Sequence, residues 1–308
     1  MPKIAYVDKR FTQEHLGVIE AANKIIEEYQ GQGFVLTLRQ LYYQFVSRAL
    51  IPNRVQEYKR LGSIINDGRL AGLIDWDAIE DRGRNLITSP HWTSPAAIVD
   101  ACAAQYHEDH WAGQKNAVEV WIEKDALSGV VAPACRSLDI PYFACRGYNS
   151  QSEQWAAGQR IAQRSRRGQR TIVLHLGDHD PSGIDMTRDN RERLALFAGS
   201  DVLVERLALN FDQVEEHKPP PNPAKTTDAR FAGYASKYGD ESWELDALEP
   251  RVIDRLIRAA VADFIDQSAW DAVERRIQEH RSTLAKIGEY WPEVVDFIEN
   301  IGEEERHV

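Results

Sequence analysis

The stretch HLGDHDPSGIDM (175–186) sets Asp178 and Asp180 two residues apart, directly after a run of β-formers, TIVLHL (171–176). In an extended segment the side chains at i and i+2 point the same way, so both carboxylates can face one ligand. Pro181, Ser182 and Gly183 then turn the chain into a helix. A third acid, Glu123, ends an earlier β-rich run, AVEVWIE (117–123). In open parallel sheets, functional groups gather at the carboxyl ends of strands. Three hard oxygen donors from neighbouring strand ends suit Mg²⁺, or Mn²⁺, with water and a phosphate completing the shell. They do not suit structural zinc, which takes Cys and His. Buried together without a cation, three carboxylates would be costly. His175 and His179 can assist a reaction here, or equally serve as core and turn residues.

The elements that must position these groups follow from periodicity. Strands over 117–123, IPYFACR (140–146), 171–176 and VLVERLAL (202–209) are separated by helices to about 137, over 151–166 and over 183–197. That alternation predicts a parallel α/β sheet with helices on both faces. Before it, residues 12–30, LRQLYYQFVSRAL (38–50, with Thr37 as N-cap and Pro52 as stop) and VQEYKRLGSIINDGRL (55–70) carry apolar residues at helical spacing. LIDWDAIEDRGRN (73–85) alternates apolar and polar residues around a basic tip, as a small β-wing would. Helix, helix, wing is the layout of a winged helix-turn-helix module, which would present the Lys59–Arg60 helix to DNA; a plain three-helix bundle explains the same periodicity. Segment 89–116 reads as a linker followed by a short helix, with His107 and His110 as surface decoration. HKPPPNPAKTTD (217–228) reads as a proline-rich linker, and the remainder is mostly helical.

At 308 residues, 43% hydrophobic and 28% charged, the chain has the composition of a soluble globular protein of roughly two domains. No apolar run approaches the roughly 18 residues of a membrane span, and MPKIAYVDKRF lacks a signal-peptide core. Cys102, Cys135 and Cys145 form no CxxC pair; they are expected as reduced thiols in a cytoplasmic, nucleoid-associated protein. The net charge of −11 is uneven: residues 240–308 hold 18 Asp and Glu against 8 Lys and Arg. Two basic clusters lie earlier. Arg39, Arg48, Arg54, Lys59 and Arg60 face Glu57 alone in residues 37–60; Arg146, Arg160, Arg164, Arg166, Arg167 and Arg170 face Glu153 alone in 146–170. A phosphate backbone responds to the local patch within a Debye length of about 10 Å, although basic helix faces are commonly just solvated.

Taken together, WIEKDALSG (121–129) and HLGDHDPSG (175–183), with the glycine turn CRGYNSQSE (145–153) between them, resemble the Toprim domain. This is the metal-binding fold of topoisomerases, primases and several nucleases. Glu123 matches its glutamate, and Asp178 and Asp180 its DxD pair, over roughly residues 115–210. LRQLYYQFV (38–46) resembles the tyrosine motif of topoisomerase VI A subunits and meiotic double-strand-break proteins, with Tyr43 at the nucleophile position and Arg39 at the motif's arginine. EKDAL (123–127) and DHDPSGI (178–184) are close to the A-subunit versions, and WELDALEP (243–250) looks like a segment that follows the Toprim domain there, although no role attaches to Glu244 or Asp246.

The resemblance implies a winged-helix DNA-binding domain over 1–90, a linker over 91–114, a Toprim (Rossmann-like parallel sheet) domain over 115–215 and C-terminal helices over 216–308 packing on it. It implies Mg²⁺-dependent cleavage of double-stranded DNA. Tyr43 would form a 5′-phosphotyrosyl link, Arg39 would stabilise the phenolate or phosphate, and Glu123, Asp178 and Asp180 would hold the metal. Arg48, Arg54, Lys59, Arg60 and Lys124 are the expected DNA contacts. A homodimer with a DNA channel follows by resemblance only. Family members carry a longer N-terminal extension that engages an ATPase B subunit; here about forty residues precede the tyrosine motif, so a B-type partner is where the sequence departs from the family. Two other readings stay open: a Toprim nuclease using metal-activated water, with Tyr43 packed in the core, and a non-catalytic DNA-binding protein.

Overall fold

The computed structural model describes residues 3–80, 89–200 and 202–304, with the side chains of 302–304 excepted. Three helices come first. Helix α1 (Gln13–Gly31) is capped by Thr12, whose side chain accepts from the His15 amide, and buries Ile19, Ala22, Ile25, Ile26 and Tyr29 at helical spacing. Helix α2 (Leu38–Ser47) begins in a capping box: Thr37 accepts from the Gln40 amide while Gln40 Oε1 accepts from the Thr37 amide. It stops three residues short of the expected end, because Ala49 takes a left-handed conformation (φ 55°) before Pro52 is reached. Helix α3 (Val55–Leu70) follows. The three share one core with Leu36, Phe45, Ile74 and Ile79. Of the expected β-wing, the described part is a 3₁₀ turn (Trp76–Ala78) and a single parallel bridge between Ile79 and Leu36; the glycine and basic tip lie outside the described residues.

After helix α4 (Pro95–Gln105) the chain enters a parallel sheet of strands β1 (Asn116–Ile122), β2 (Tyr142–Ala144), β3 (Arg170–Leu176) and β4 (Leu203–Ala208), in the order β2-β1-β3-β4. The connections are helices α5 (Ser128–Ser137), α6 (Gln151–Arg166) and α7 (Pro181–Ala198). The protein is therefore a mixed α/β chain with a four-stranded parallel sheet, as the alternation of strands and helices predicts. All of β1 and β3 beyond their first residues is buried, so both sheet faces are covered. Alternation sorts them: Trp121 and Val173 pack with Ala157 and Ile161 of α6 and Leu194 of α7. Glu119 points to the same side, where Arg160 and Arg164 of α6 grip it.

The proline-rich segment after α8 (Phe211–His217) is not a bare connection. Its β5 (Asn222–Pro223) pairs antiparallel with β6 (Glu241–Ser242), across α9 (Phe231–Tyr238). Helix α10 (Pro250–Ala262) then packs on α5 and β4. Helices α11 (Gln267–Glu289) and α12 (Trp291–Glu304) follow. Among the described residues no helix is long and apolar enough to cross a membrane.

The chain divides into two compact units. One comprises Met1–Arg84 with Asn116–Phe264, the other Asn85–Lys115 with Ile265–Val308. The second is built on α4 lying along α11, close enough that a Cβ on Gly288 would sit 2.0 Å from Asp100 Oδ1. Within it His110, expected on the surface, is buried: its ring stacks on Trp270 at 4.2 Å and Nε2 lies 3.2 Å from Glu274. An aromatic partner on the facing helix makes a core residue of an imidazole whose sequence neighbours are charged.

Candidate functional site

The site lies in the first unit, at the carboxyl ends of β1 and β3. These strands are adjacent and in register (Ile122 opposite Leu176), so the residues just past them, Glu123 and the 177–180 turn, emerge side by side. Glu123 Oε2 accepts from the Asp178 amide at 2.8 Å. Asp180 is the N-cap of α7 and takes the Gly183 amide on Oδ1 at 2.6 Å. Gly183 is required by close approach, since a Cβ there would lie 2.2 Å from the Asp178 carbonyl oxygen. Asp178 is buried, with Oδ1 on the Leu245 amide (2.8 Å) and Oδ2 on Lys124 Nζ (2.7 Å).

The segment 243–250 closes this corner. His179 and Trp243 exchange backbone hydrogen bonds (2.8 and 3.0 Å), and Ala247 enters the core of the first three helices. Between these points, Glu244 and Asp246 face two cations. Lys124 Nζ lies 2.9 Å from Glu244 Oε2 and 3.6 Å from Asp246 Oδ1. Arg39 Nη2 bonds the same Glu244 oxygen, and its Nε is 3.0 Å from Asp246. Arg39 also lies over the Tyr43 ring, 5.8 Å from its centroid. A cavity of about 450 Å³ opens here, lined by Arg39, Tyr42, Tyr43, Asn53, Arg54, Tyr58, Asn222 and Glu244 among others.

The two tyrosines of LYYQF are equally buried and differ in what their hydroxyls do. Tyr42 Oη accepts from the Arg54 amide at 2.8 Å and faces Asn53 Oδ1 at 3.0 Å, satisfying the backbone amide of the residue just before α3. The Tyr43 hydroxyl interacts with the Asn222 side chain. Burial, then the charge of Glu244, push it up to about 12, against the pull of Arg39.

Burial and the Asp178 charge push Glu123 well above the ordinary carboxylate range. Burial also raises Asp178 and Asp246, against the pull of Lys124. Lys124 itself, though burial disfavours its charge, is held firmly protonated by Asp178, Asp246 and Glu244. One strut was not foreseen. Arg206, half-buried in β4, donates to the carbonyls of Gly177, Asp178, Gly183 and Leu209 and to Thr187 Oγ1, and desolvation lowers it to about 10. Its only signal in the sequence is an arginine inside the apolar run of a strand.

The sequence-derived metal residues Glu123, Asp178 and Asp180 are thus neighbours. Their donors are all oxygen, and among the described residues five carboxylates (these three with Glu244 and Asp246) meet only Lys124, Arg39 and Arg206. Glu123 Oε1 and Asp180 Oδ2 have no protein partner among the described residues. A hard divalent cation fits both the donor type and the missing positive charge. Asp178 reaches it only by sharing or releasing an oxygen now held by Lys124 or Leu245.

The expected DNA contacts fare differently. Lys124 is drawn inward by three carboxylates instead of facing outward. Arg48 pairs with Glu28 (2.7 Å), and Arg60 with Glu14 and Glu57. Arg54 and Lys59 are exposed. In the second basic cluster Arg160 and Arg164 are committed to Glu119, which explains them without nucleic acid. His175 and His179 are buried and kept neutral by desolvation, at about 3 and about 4; the first bonds Thr187 and the second Tyr234. His179 sits among Phe211, Tyr234, Tyr238 and Trp243, which fixes it as a packed turn residue. Compared with known proteins, the chain matches no family model and no curated protein.

Proposed function

We propose that the protein cleaves DNA in the manner of topoisomerase VI A subunits, with Tyr43 as nucleophile and a Toprim domain around Glu123, Asp178 and Asp180 holding Mg²⁺ or Mn²⁺. The observation that carries this is the shared carboxylate: Glu244 Oε2 bonds both Arg39 of the tyrosine helix and Lys124 of the acidic corner. Tyrosine cavity and metal corner are therefore one electrostatic unit.

In this reading the Tyr43 hydroxyl gives up its proton to water, its oxygen bonds to phosphorus, and the P–O3′ bond breaks as the 3′-oxygen takes a proton from water. A 5′-phosphotyrosyl ester results, with as many phosphoester bonds as before, so the step is reversible. Arg39 stabilises the phenolate and the phosphate oxygens. A bound Mg²⁺ would supply charge neutralisation to the phosphate and the leaving 3′-oxygen. The N-terminal helices serve as a winged-helix module that offers Arg54 and Lys59 to the duplex, in a homodimer; an ATPase subunit is not needed for the chemistry itself. A second reading has water as nucleophile, and Tyr43's place in the helical core favours it.

Supercoiled plasmid with Mg²⁺ tests both, comparing wild type, Tyr43→Phe and Asp178→Ala with and without protease treatment. Cleavage lost in both variants, with protein on the 5′ ends, supports the tyrosine reaction. Cleavage surviving only in Tyr43→Phe, with free ends, supports the nuclease. A chain that binds DNA and leaves it intact under all conditions would be either one that needs a separate ATPase partner or a binding protein.

A further inference from the structure

The Arg39–Lys124 pair poses a question that the cleavage scheme leaves open, because both cations are already neutralised by the chain's own acids. We infer that Glu244 occupies the place of a phosphate group: Arg39 and Lys124 form an anion site that the protein fills with its own carboxylate until a phosphate ester enters the adjoining cavity and displaces it. The inference rests on the reading of that cavity as a phosphate site and names the group that guards it.

Three observations carry it. First, a single oxygen, Glu244 Oε2, bonds both Arg39 Nη2 and Lys124 Nζ. An oxygen shared by a guanidinium and an ammonium is the position a phosphoryl oxygen takes in charge-assisted recognition. Second, Glu244 borders open space: it lines the cavity of about 450 Å³ together with Tyr43, Arg54 and Asn222, which offer a phosphate ester further donors.

Third, the two acids on these cations are not equivalent. The Asp246 side chain is 1% exposed and, among the described residues, accepts no hydrogen bond and makes only ion pairs, so it is a fixed counter-charge. The Glu244 side chain is 25% exposed at the cavity edge and can swing to water. When Glu244 leaves, Asp246 still holds Arg39, and Asp246 with Asp178 still holds Lys124. The cations stay in place for the incoming phosphate. Glu244 is exchangeable and Asp246 is the anchor.

The test is calorimetric titration of the whole chain with inorganic phosphate, at constant ionic strength and in EDTA, so that neither metal nor DNA cleavage enters. An internal competitor lowers apparent affinity by the fraction of time it vacates the site. Glu244→Gln is therefore expected to bind phosphate about tenfold tighter than wild type, and Asp246→Asn more weakly than wild type. Should Glu244→Gln not fold, Glu244→Asp decides, since its shorter reach also frees the site and keeps the charge. Phosphate affinity equal to or below wild type in the deciding variant overturns the inference. Failure of the cleavage reading would show instead in the plasmid assay and leave this titration unchanged.

Discussion

Asp178 Oδ1 accepts the backbone amide of Leu245, 2.8 Å away and 67 residues later. That bond ties the acidic turn to the segment carrying Glu244 and Asp246, and so makes the DHD motif and the tyrosine helix parts of one site.

Divalent metal should stabilise the protein through Glu123. Its raised carboxyl means that stability is present at low pH and is lost as pH rises through the folded-state value, unless a cation compensates. Thermal melts at pH 8 should shift upward with Mg²⁺ in wild type, by the equivalent of about 2.7 kcal/mol at a hundred times Kd. Glu123→Gln should melt higher than wild type in EDTA and gain nothing from the metal. A metal-dependent shift that persists in Glu123→Gln would place the ion elsewhere.

The paired tyrosines should separate by stability. Tyr42→Phe leaves the part-buried Arg54 amide without its acceptor, a loss of about 1 kcal/mol. Tyr43→Phe should change stability by less than about 1 kcal/mol while abolishing protein-linked DNA ends. Urea unfolding of the two variants measures the first difference. Equal losses would mean that the Tyr43 hydroxyl is structural.

Two glycines meet obstacles of similar severity and should differ in consequence. A Cβ at Gly183 meets the Asp178 carbonyl at 2.2 Å, and one at Gly158 meets Phe197 Cβ at 2.3 Å between α6 and α7. Each alanine variant should lose about 1–3 kcal/mol through overpacking. Only Gly183→Ala should also lose metal-dependent stabilisation, because its displacement moves Asp178 and Asp180. Matching metal responses in the two variants would detach the α7 turn from the metal site.

Acid should unfold the protein partly through His175. Its folded value of about 3 lies below the unfolded 6.5, so its contribution is complete above pH 6.5 and falls away as pH drops toward 3. From pH 7 to pH 5 that amounts to about 2 kcal/mol. A His175→Gln variant should show a correspondingly flatter stability profile over this range, and an unchanged slope would remove His175 from the acid response.

Glu119 titrates lower. Burial raises its carboxyl, but Arg160, with Arg164, overcomes this and holds it at about 2, so its contribution is complete above pH 4.5 and is lost toward pH 2. Replacing both arginines with alanine strands a buried carboxylate, a cost of about 3–5 kcal/mol at pH 7. In denaturant melts the double variant should recover part of that loss as pH falls below 5. No recovery would mean that the arginines act through packing alone.

Much of the architecture is legible in local pattern. Thr37 and Gln40 at the start of α2, the β-rich runs around 117–122 and 170–176, and Asp180 before Pro181 each report a structure decided within a few residues. Adjacent parallel strands then bring Glu123 beside Asp178, so the acidic corner too could be read from order and spacing. The sequence by itself could not decide which tyrosine hydroxyl is consumed, because Tyr42's partner, the Arg54 amide, sits at the start of another helix. Nor could it show that Lys124 turns inward, that Arg206 braces the turn, or that Glu244 and Asp246 complete the site. Those outcomes depend on charges that meet only after residues such as Asp178 and Leu245 are brought together. A carboxylate's neighbours in space, not in sequence, determine its desolvation and its counter-ions, and only the tertiary structure supplies them.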